Sequence, residues 1–352
     1  MRPSVREQFQ HGGYVYATRA EEIARAHGHT RIARLASNEN PFPLSPLAMK
    51  KAEEALSSVH RYPPERHTTL IQALSDHFAW KHIILGNGMD GVIETIIRTI
   101  LEPGDRVVIP QPTFSFYGVA ARAQGATVTP CSRSKDFSVD IPALLQAMKG
   151  ANFLFLCTPN NPTGTFTSPD DVRAILEGTD ALVFLDTAYI EFADTGYQDL
   201  LGKYDTLIIG RTMSKAYSMA GLRLGYAFVP PWLEGPCHRA ATPFSVNSVT
   251  AAAALGALSD PEHVQRIRDH VQRWRARFYD EIRYPTLLSQ ANFVLVDVAP
   301  RSGDRMMEDL AARGVMVRSC ASFPGLEDHY IRVSIGEDWE NNRFLSAINE
   351  LG

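Results

Sequence analysis

Seven short apolar runs in the middle of this 352-residue chain constrain its fold more than any other feature. They are His82–Leu85, Arg106–Pro110, Thr127–Pro130, Phe153–Cys157, Leu182–Asp186, Thr206–Gly210 and Gly225–Val229, each of strand length and rich in Val, Ile, Leu and Phe. Runs such as VVI, LFL and LVFL are apolar at successive positions, which suits strands covered on both faces. Between several of them lie helix-like segments at Gly91–Leu101, Phe116–Gln124, Ile141–Met148 and Ser168–Glu177, the last opened by Ser-Pro with acids in its first turn. The alternation predicts an α/β fold on a mainly parallel sheet.

After Asn247 the texture changes. An alanine-rich helix, TAAAALGAL, precedes a long helix over Pro261–Ile282, whose arginines alternate with Asp269, Asp280 and Glu281 as on a solvated face. From Asn292 the order is strand (FVLVDV), helix (Gly303–Arg313), strand (VMVR), strand (YIRVSI) and a closing helix, a second and smaller α/β unit. The proline-rich stretch Asn40–Pro46 separates an N-terminal arm. The expected division is 1–46 for the arm and part of the small domain, 47–258 for the large domain and 259–352 for the rest of the small domain.

Charge and cysteine content exclude several function classes. Lys+Arg 35 against Asp+Glu 39 gives a net charge of −4, with no like-charge block, so no nucleic-acid partner is expected. Cys131, Cys157, Cys237 and Cys320 lie far apart without CxxC spacing, which predicts free thiols in a reducing cytosol and no metal site. The N-terminus lacks an apolar core of roughly 7–15 residues, and no apolar run approaches ~18, so neither a secretion signal nor a membrane span is expected.

The segments that follow the strands carry the chemistry, as strand ends do in open α/β sheets. They are GNGMD (Gly86–Asp90), PTFSFY (Pro112–Tyr117), TPNNPTG (Thr158–Gly164), FLDTAYIEF (Phe184–Phe192) and RTMSKAYSMAGLRLGY (Arg211–Tyr226). Singly, each is an ordinary turn or strand end. Together, and with LASNENPFP (Leu35–Pro43), RYPP (Arg61–Pro64), PFSVN (Pro243–Asn247), QANFVLV (Gln290–Val296) and RVSIG, the chain resembles the fold-type I aminotransferases that use pyridoxal 5'-phosphate (PLP). Within that group it is most similar to the histidinol-phosphate branch.

The resemblance implies a large domain with a mainly parallel seven-stranded sheet and a role for each motif residue. Lys215 becomes the amine that holds the PLP aldehyde and moves the substrate proton. Asp186, a buried carboxylate, keeps the pyridine nitrogen protonated. Tyr189 and Asn161 face the ring's phenolate oxygen, Asn161 also reaching substrate, and Phe114 stacks on the ring. The amides of Gly88, Met89 and Asp90, the hydroxyls of Thr212 and Ser214, and the charge of Arg223 bind the phosphate. Arg332 anchors the amino-acid carboxylate, with Arg318 and Tyr14 near the substrate. Tyr62 reaches the cofactor phosphate of a neighbouring subunit, so a homodimer is implied, acting on a small-molecule amino donor and a 2-oxo acid.

Two departures from the family pattern stand out. Thr187 occupies the position of a family Glu, and Met89-Asp90-Gly91 replaces Ser-Asp-Glu after GNG. In addition, His11-Gly12-Gly13 resembles the opening of threonine-phosphate decarboxylases, which break the bond from Cα to the carboxylate. The expected activity is transamination between histidinol phosphate and 2-oxoglutarate. A threonine-phosphate decarboxylase and a broad aromatic aminotransferase are the alternatives.

Overall fold

A computed structural model describes residues 4–6, 9–10 and 18–352. After a helix over Thr18–Ala26 the chain forms a two-residue strand, β1 (Ala33–Arg34). It then lays down β2 (Ile83–Asn87), β3 (Arg106–Gln111), β4 (Thr127–Ser132), β5 (Phe153–Cys157), β6 (Leu182–Asp186), β7 (Leu207–Thr212) and β8 (Leu224–Phe228). These make one seven-stranded sheet in the order β2-β8-β7-β6-β5-β3-β4. Pairs among β3 to β7 are parallel, and β8 is antiparallel to both β7 and β2. All seven predicted strands are present, and β5 and β6 are buried at every position, as strands apolar on both faces must be.

Local chemistry sets where the connecting helices begin. Asp140 caps Ile141–Met148 by accepting from Ala143 N, and Ser168 caps Pro169–Glu177 by accepting from Asp171 N. The helix after β2 starts at Gly88, three residues earlier than predicted. Gly88 has φ 71°, so the chain turns directly from strand into helix and Asp90 falls in the first turn, where an acid is favourable.

Beyond helices Ser248–Leu258 and Pro261–Glu281 come β9 (Phe293–Asp297), β10 (Val315–Met316), β11 (Arg318–Ser319) and β12 (Tyr330–Ser334). β12 is antiparallel to both β9 and β11, whereas β10 pairs in parallel with β1. The predicted VMVR strand is thus split at Val317 between two sheets. Leu35 continues the N-terminal segment across this unit, donating to Met316 O at 2.9 Å and accepting from Ser334 N at 2.9 Å.

The long helix departs from its expected solvated arginine face at one position. Arg266, Arg268 and Arg273 are exposed, but Arg275 is buried and donates to Phe192 O at 3.4 Å and Ala291 O at 3.2 Å. It packs the helix onto the loop after β6. Among the described residues, no helix is long and apolar enough to cross a membrane.

Candidate active site

A cleft of about 440 Å³ opens where β3, β5, β6 and β7 end. It is lined by twelve of the residues singled out from the sequence: Met89, Asp90, Phe114, Asn161, Asp186, Tyr189, Thr212, Ser214, Lys215, Arg223, Arg318 and Arg332. Segments remote in sequence therefore converge at one edge of the sheet.

Asp186 is the last residue of β6 and is 3% exposed. Its Oδ2 accepts from the Tyr117 hydroxyl at 2.6 Å and its Oδ1 from Ala188 N at 3.0 Å. Burial pushes its carboxyl up to about 6, opposed by the hydrogen bonds from Tyr117 and Ala188 and by the Lys215 charge. Thr187, where the family carries Glu, turns the other way. Its hydroxyl and its backbone N–H both donate to Gly210 O, at 2.7 and 2.9 Å, so it ties β6 to β7.

Lys215 follows β7 in a loop of small residues. Its Nζ lies 3.4 Å from Ser37 O and 5.8 Å from the centroid of the Tyr189 ring. Burial, with the Arg332 and Arg223 charges, pulls its ammonium down to about 8, so a neutral amine is within reach near physiological pH. The Tyr189 hydroxyl accepts from Asn38 Nδ2 at 2.9 Å, and burial holds the phenol protonated by pushing its pKa upward.

The helix starting at Gly88 brings Met89 and Asp90 to the same cleft wall as Thr212, Ser214 and Arg223, but the Gly88 amide, expected to bind phosphate, is already committed to Arg223. Gly88 N donates to Arg223 O at 2.9 Å, and a Cβ at Gly88 would collide with the Arg223 guanidinium. Arg223, itself at φ 57°, places Nη1 3.5 Å from Ser214 Oγ and Nη2 3.1 Å from Asp90 Oδ2. Thr212 Oγ1 and Ser214 Oγ are 3.0 Å apart. A helix N-terminus, two hydroxyls and a guanidinium make an anion site suited to phosphate.

The opposite wall comes from the C-terminal unit. Arg318 and Arg332 are register partners across β11 and β12, which puts both side chains on one face of that sheet. Arg332 is 5% exposed, and it donates to Asn161 Oδ1 and, at 2.8 Å, to Ala36 O, while its buried Nε has no hydrogen-bond partner among the described residues. Arg318 Nη2 is 3.1 Å from Ser322 Oγ. Phe323 lies beneath both guanidinium groups, its ring centroid 5.8 Å from Arg318 and 6.0 Å from Arg332.

Two predicted residues stand apart. Tyr62 is 82% exposed and stacks on Phe244 at 4.7 Å, away from the cleft of its own chain. Tyr14, with His11-Gly12-Gly13, lies outside the described residues. Conversely, Tyr117, Asn38, Cys157 and Phe323 line the cleft without having been singled out. Asn38 sits in LASNENP and Tyr117 closes PTFSFY, motifs whose local pattern does not mark these two side chains as facing the cleft.

Behind the cleft, Arg211 and Glu191 form a buried ion pair at 2.7 Å, and the Arg211 guanidinium lies 4.5 Å from the Phe78 ring. Arg211 belongs to RTMSK and Glu191 to the segment with Asp186 and Tyr189, so the pair joins the two loops that carry Lys215 and Tyr189. Among the described residues, no group of three or more His, Cys, Asp or Glu could hold a metal ion.

These residues fit the PLP that the sequence resemblance implies: a buried carboxylate, a lysine of lowered pKa and a phosphate cradle share one cleft, with Gly88 allowing close approach. Known proteins agree in sequence and in fold. The chain is 58% identical over 340 residues to the histidinol-phosphate aminotransferase of Methanoculleus marisnigri, covering 97% of each chain. It is 52% identical to that of Methanocorpusculum labreanum, covering 100% of each. The structure of the Sinorhizobium meliloti histidinol-phosphate aminotransferase in complex with pyridoxal-5'-phosphate superposes with a TM-score of 0.90 at 25% identity, covering 100% of this chain and 98% of that one. Residues 30–348 match the family described as aminotransferase class I and II. With strand-end motifs, cleft and chain-long relatives in agreement, the chain belongs to the class I and II aminotransferases.

Proposed function

We propose that this chain is a PLP-dependent histidinol-phosphate aminotransferase, exchanging the amine of histidinol phosphate with 2-oxoglutarate. The observation that carries the reading is the meeting of Lys215, Asp186 and Arg223 in one cleft of a chain 58% identical to an enzyme of that name. When bound, the cofactor supplies an aldehyde to capture an amine and a ring to take up the electron pair left at Cα.

The protein's own residues do the rest. Lys215 holds the cofactor at rest and, once released, accepts the Cα proton on Nζ and returns it. A pKa near 8 suits an amine that must do both. Asp186 holds the proton at the ring nitrogen. Tyr189 and Asn161 would orient the ring's oxygen, Phe114 would pack against the ring, and the amides of Met89 and Asp90 with Thr212, Ser214 and Arg223 would bind the phosphate, Gly88 supplying the turn that brings them together. Histidinol phosphate has no carboxylate, whereas glutamate has two, so one arginine wall must accept either a phosphate or a carboxylate. Arg332 and Arg318, neighbours on one sheet face, supply the two forks for this.

The working form is proposed to be a cytoplasmic homodimer. Leu47, Met49, Leu56, Val59, Tyr62 and Phe244 are large apolar side chains left exposed, and Tyr62 then reaches the neighbouring subunit's phosphate site. The four free thiols suit a reducing compartment. The domain limits follow as 47–258 for the large domain, with 1–46 and 259–352 forming the smaller one.

The deciding experiment incubates the purified, PLP-loaded protein with histidinol phosphate and 2-oxoglutarate. Glutamate should form in step with loss of the donor. Carbon dioxide from threonine phosphate without an oxo acid, or equal turnover of phenylalanine, would replace this assignment.

A further inference from the structure

We propose that Tyr117 holds the Asp186 carboxylate in place for the cofactor's ring nitrogen and, by donating to it, sets how far cofactor binding survives into acid. The proposal rests on reading the cleft as a PLP site. Nothing in that reading requires a phenol here, because a fully buried position in the first turn of Phe116–Ala123 would pack equally well as phenylalanine. The hydroxyl is what needs an explanation.

Geometry supplies one. The 2.6 Å separation between the Tyr117 hydroxyl and Asp186 Oδ2 falls in the range of hydrogen bonds to an ionised acceptor. The phenol cannot swing away. Its ring lies parallel to Phe155 at 4.7 Å and 6°, and Phe114 meets it edge-on at 5.4 Å and 84°. Ala188 N occupies the other carboxylate oxygen, so both oxygens are fixed from the protein side.

The charges around Asp186 make the hydrogen bond matter. Cys157 is its register partner on β5, Asp90 approaches from the helix after β2, Lys215 from the loop after β7, and Tyr117 from the helix after β3. Arg133, after β4, is coupled to Tyr117 and Cys157. Burial holds both the Cys157 thiol, pushed up to about 12, and the Tyr117 phenol protonated, so Tyr117 remains a donor throughout the working range. Burial and Asp90 favour the neutral acid, while Tyr117, Ala188 and Lys215 favour the carboxylate. With the balance set at about 6, loss of one charge-assisted donor would protonate Asp186 near neutral pH. A protonated Asp186 no longer favours a protonated ring nitrogen, and cofactor affinity falls.

The test strips the full-length protein of cofactor and titrates it with PLP between about pH 5 and 8, reading affinity by absorbance and protein fluorescence. Wild-type affinity should fall away below about pH 6. In Tyr117→Phe the midpoint should move up by about one pH unit, the size expected for one hydrogen bond to a charged group. The same substitution in an Asp186→Asn background should shift nothing. Should Tyr117→Phe fail to fold, 3-fluorotyrosine at position 117, a stronger donor of nearly the same shape, should move the midpoint downward. An unchanged midpoint in either variant overturns the proposal, whatever happens to thermal stability. Failure of the wild type to bind PLP at any pH would instead overturn the reading of the cleft.

Discussion

The floor and the arginine wall of the cleft are built in different ways. On the floor, Asp186 and Thr212 are the last residues of adjacent parallel strands, and Tyr189 and Lys215 follow them, respectively, by three residues. Backbone pairing between β6 and β7 fixes their spacing before any side chain contributes. On the wall, Arg332 and Arg318 stand on a three-stranded sheet with a two-residue edge, joined to the floor through contacts such as Arg332 to Asn161 and to Ala36 O. Floor chemistry is thus held by local geometry, and wall chemistry by contacts between distant segments. On the proposed roles, the wall is where substitutions should act on substrate more than on cofactor.

Substitutions on each side should separate these roles. The largest effect is expected for Lys215→Ala, which should lose the visible band of lysine-bound cofactor and reduce turnover by at least ~10⁴-fold. A stopped-flow trace with normal transamination would break the floor's assignment. Asp186→Ala should follow, lowering kcat on the order of 10²–10³-fold while substrate KM changes little. A compensating change in KM would instead move Asp186 to the substrate side. For the wall, Arg332→Lys should keep its charge but lose the fork, raising KM for 2-oxoglutarate by roughly 10–100-fold with PLP affinity intact. Loss of PLP from this variant would erase the distinction between the two regions. Arg318→Ala, on the shorter strand, should cost less, about 10-fold in the same KM.

The pH dependence of cofactor loading gives a gentler test of the floor. Burial and the neighbouring arginines pull Lys215 down to about 8, and only the neutral amine can attack the aldehyde. The rate of PLP capture by stripped protein should therefore rise as pH increases through about 8 and level off above it. A rate still climbing steeply toward pH 10, the ordinary lysine range, would show that the cleft does not shift this amine.

The contrast between floor and wall also explains how much was legible in the sequence. Apolar runs marked all seven strands of the main sheet, and motif order placed Asp186, Tyr189, Thr212, Ser214 and Lys215 at their ends. Short-range rules also set the helix start at Ile141 and placed the other at Ser168, the residue that caps Pro169–Glu177. Tyr117 escaped because its partner, Asp186, lies 69 residues away and only the sheet brings β3 and β6 to one edge. Asn38 escaped for the same reason, meeting Tyr189 across 151 residues. The division of VMVR between two sheets depends on β1 arriving from the other end of the chain, a pairing that no local pattern encodes. Burial of Arg275 likewise depends on the carbonyls of Phe192 and Ala291, supplied by other elements.

The ion pair behind the cleft restricts how this chain can change over generations. Both Arg211 and Glu191 are largely buried, 6% and 9% exposed, and among the described residues each keeps a buried atom, Nε or Oε2, without a hydrogen-bond partner. Replacing one alone leaves a lone buried charge, a loss of about 3–5 kcal/mol that rivals much of a domain's net stability. Replacing both with apolar side chains of matching volume can be close to neutral. Drift at these two positions must therefore cross a valley or pass through a polar intermediate such as Glu191→Gln, and the loops bearing Lys215 and Tyr189 inherit the resulting reluctance to diverge separately.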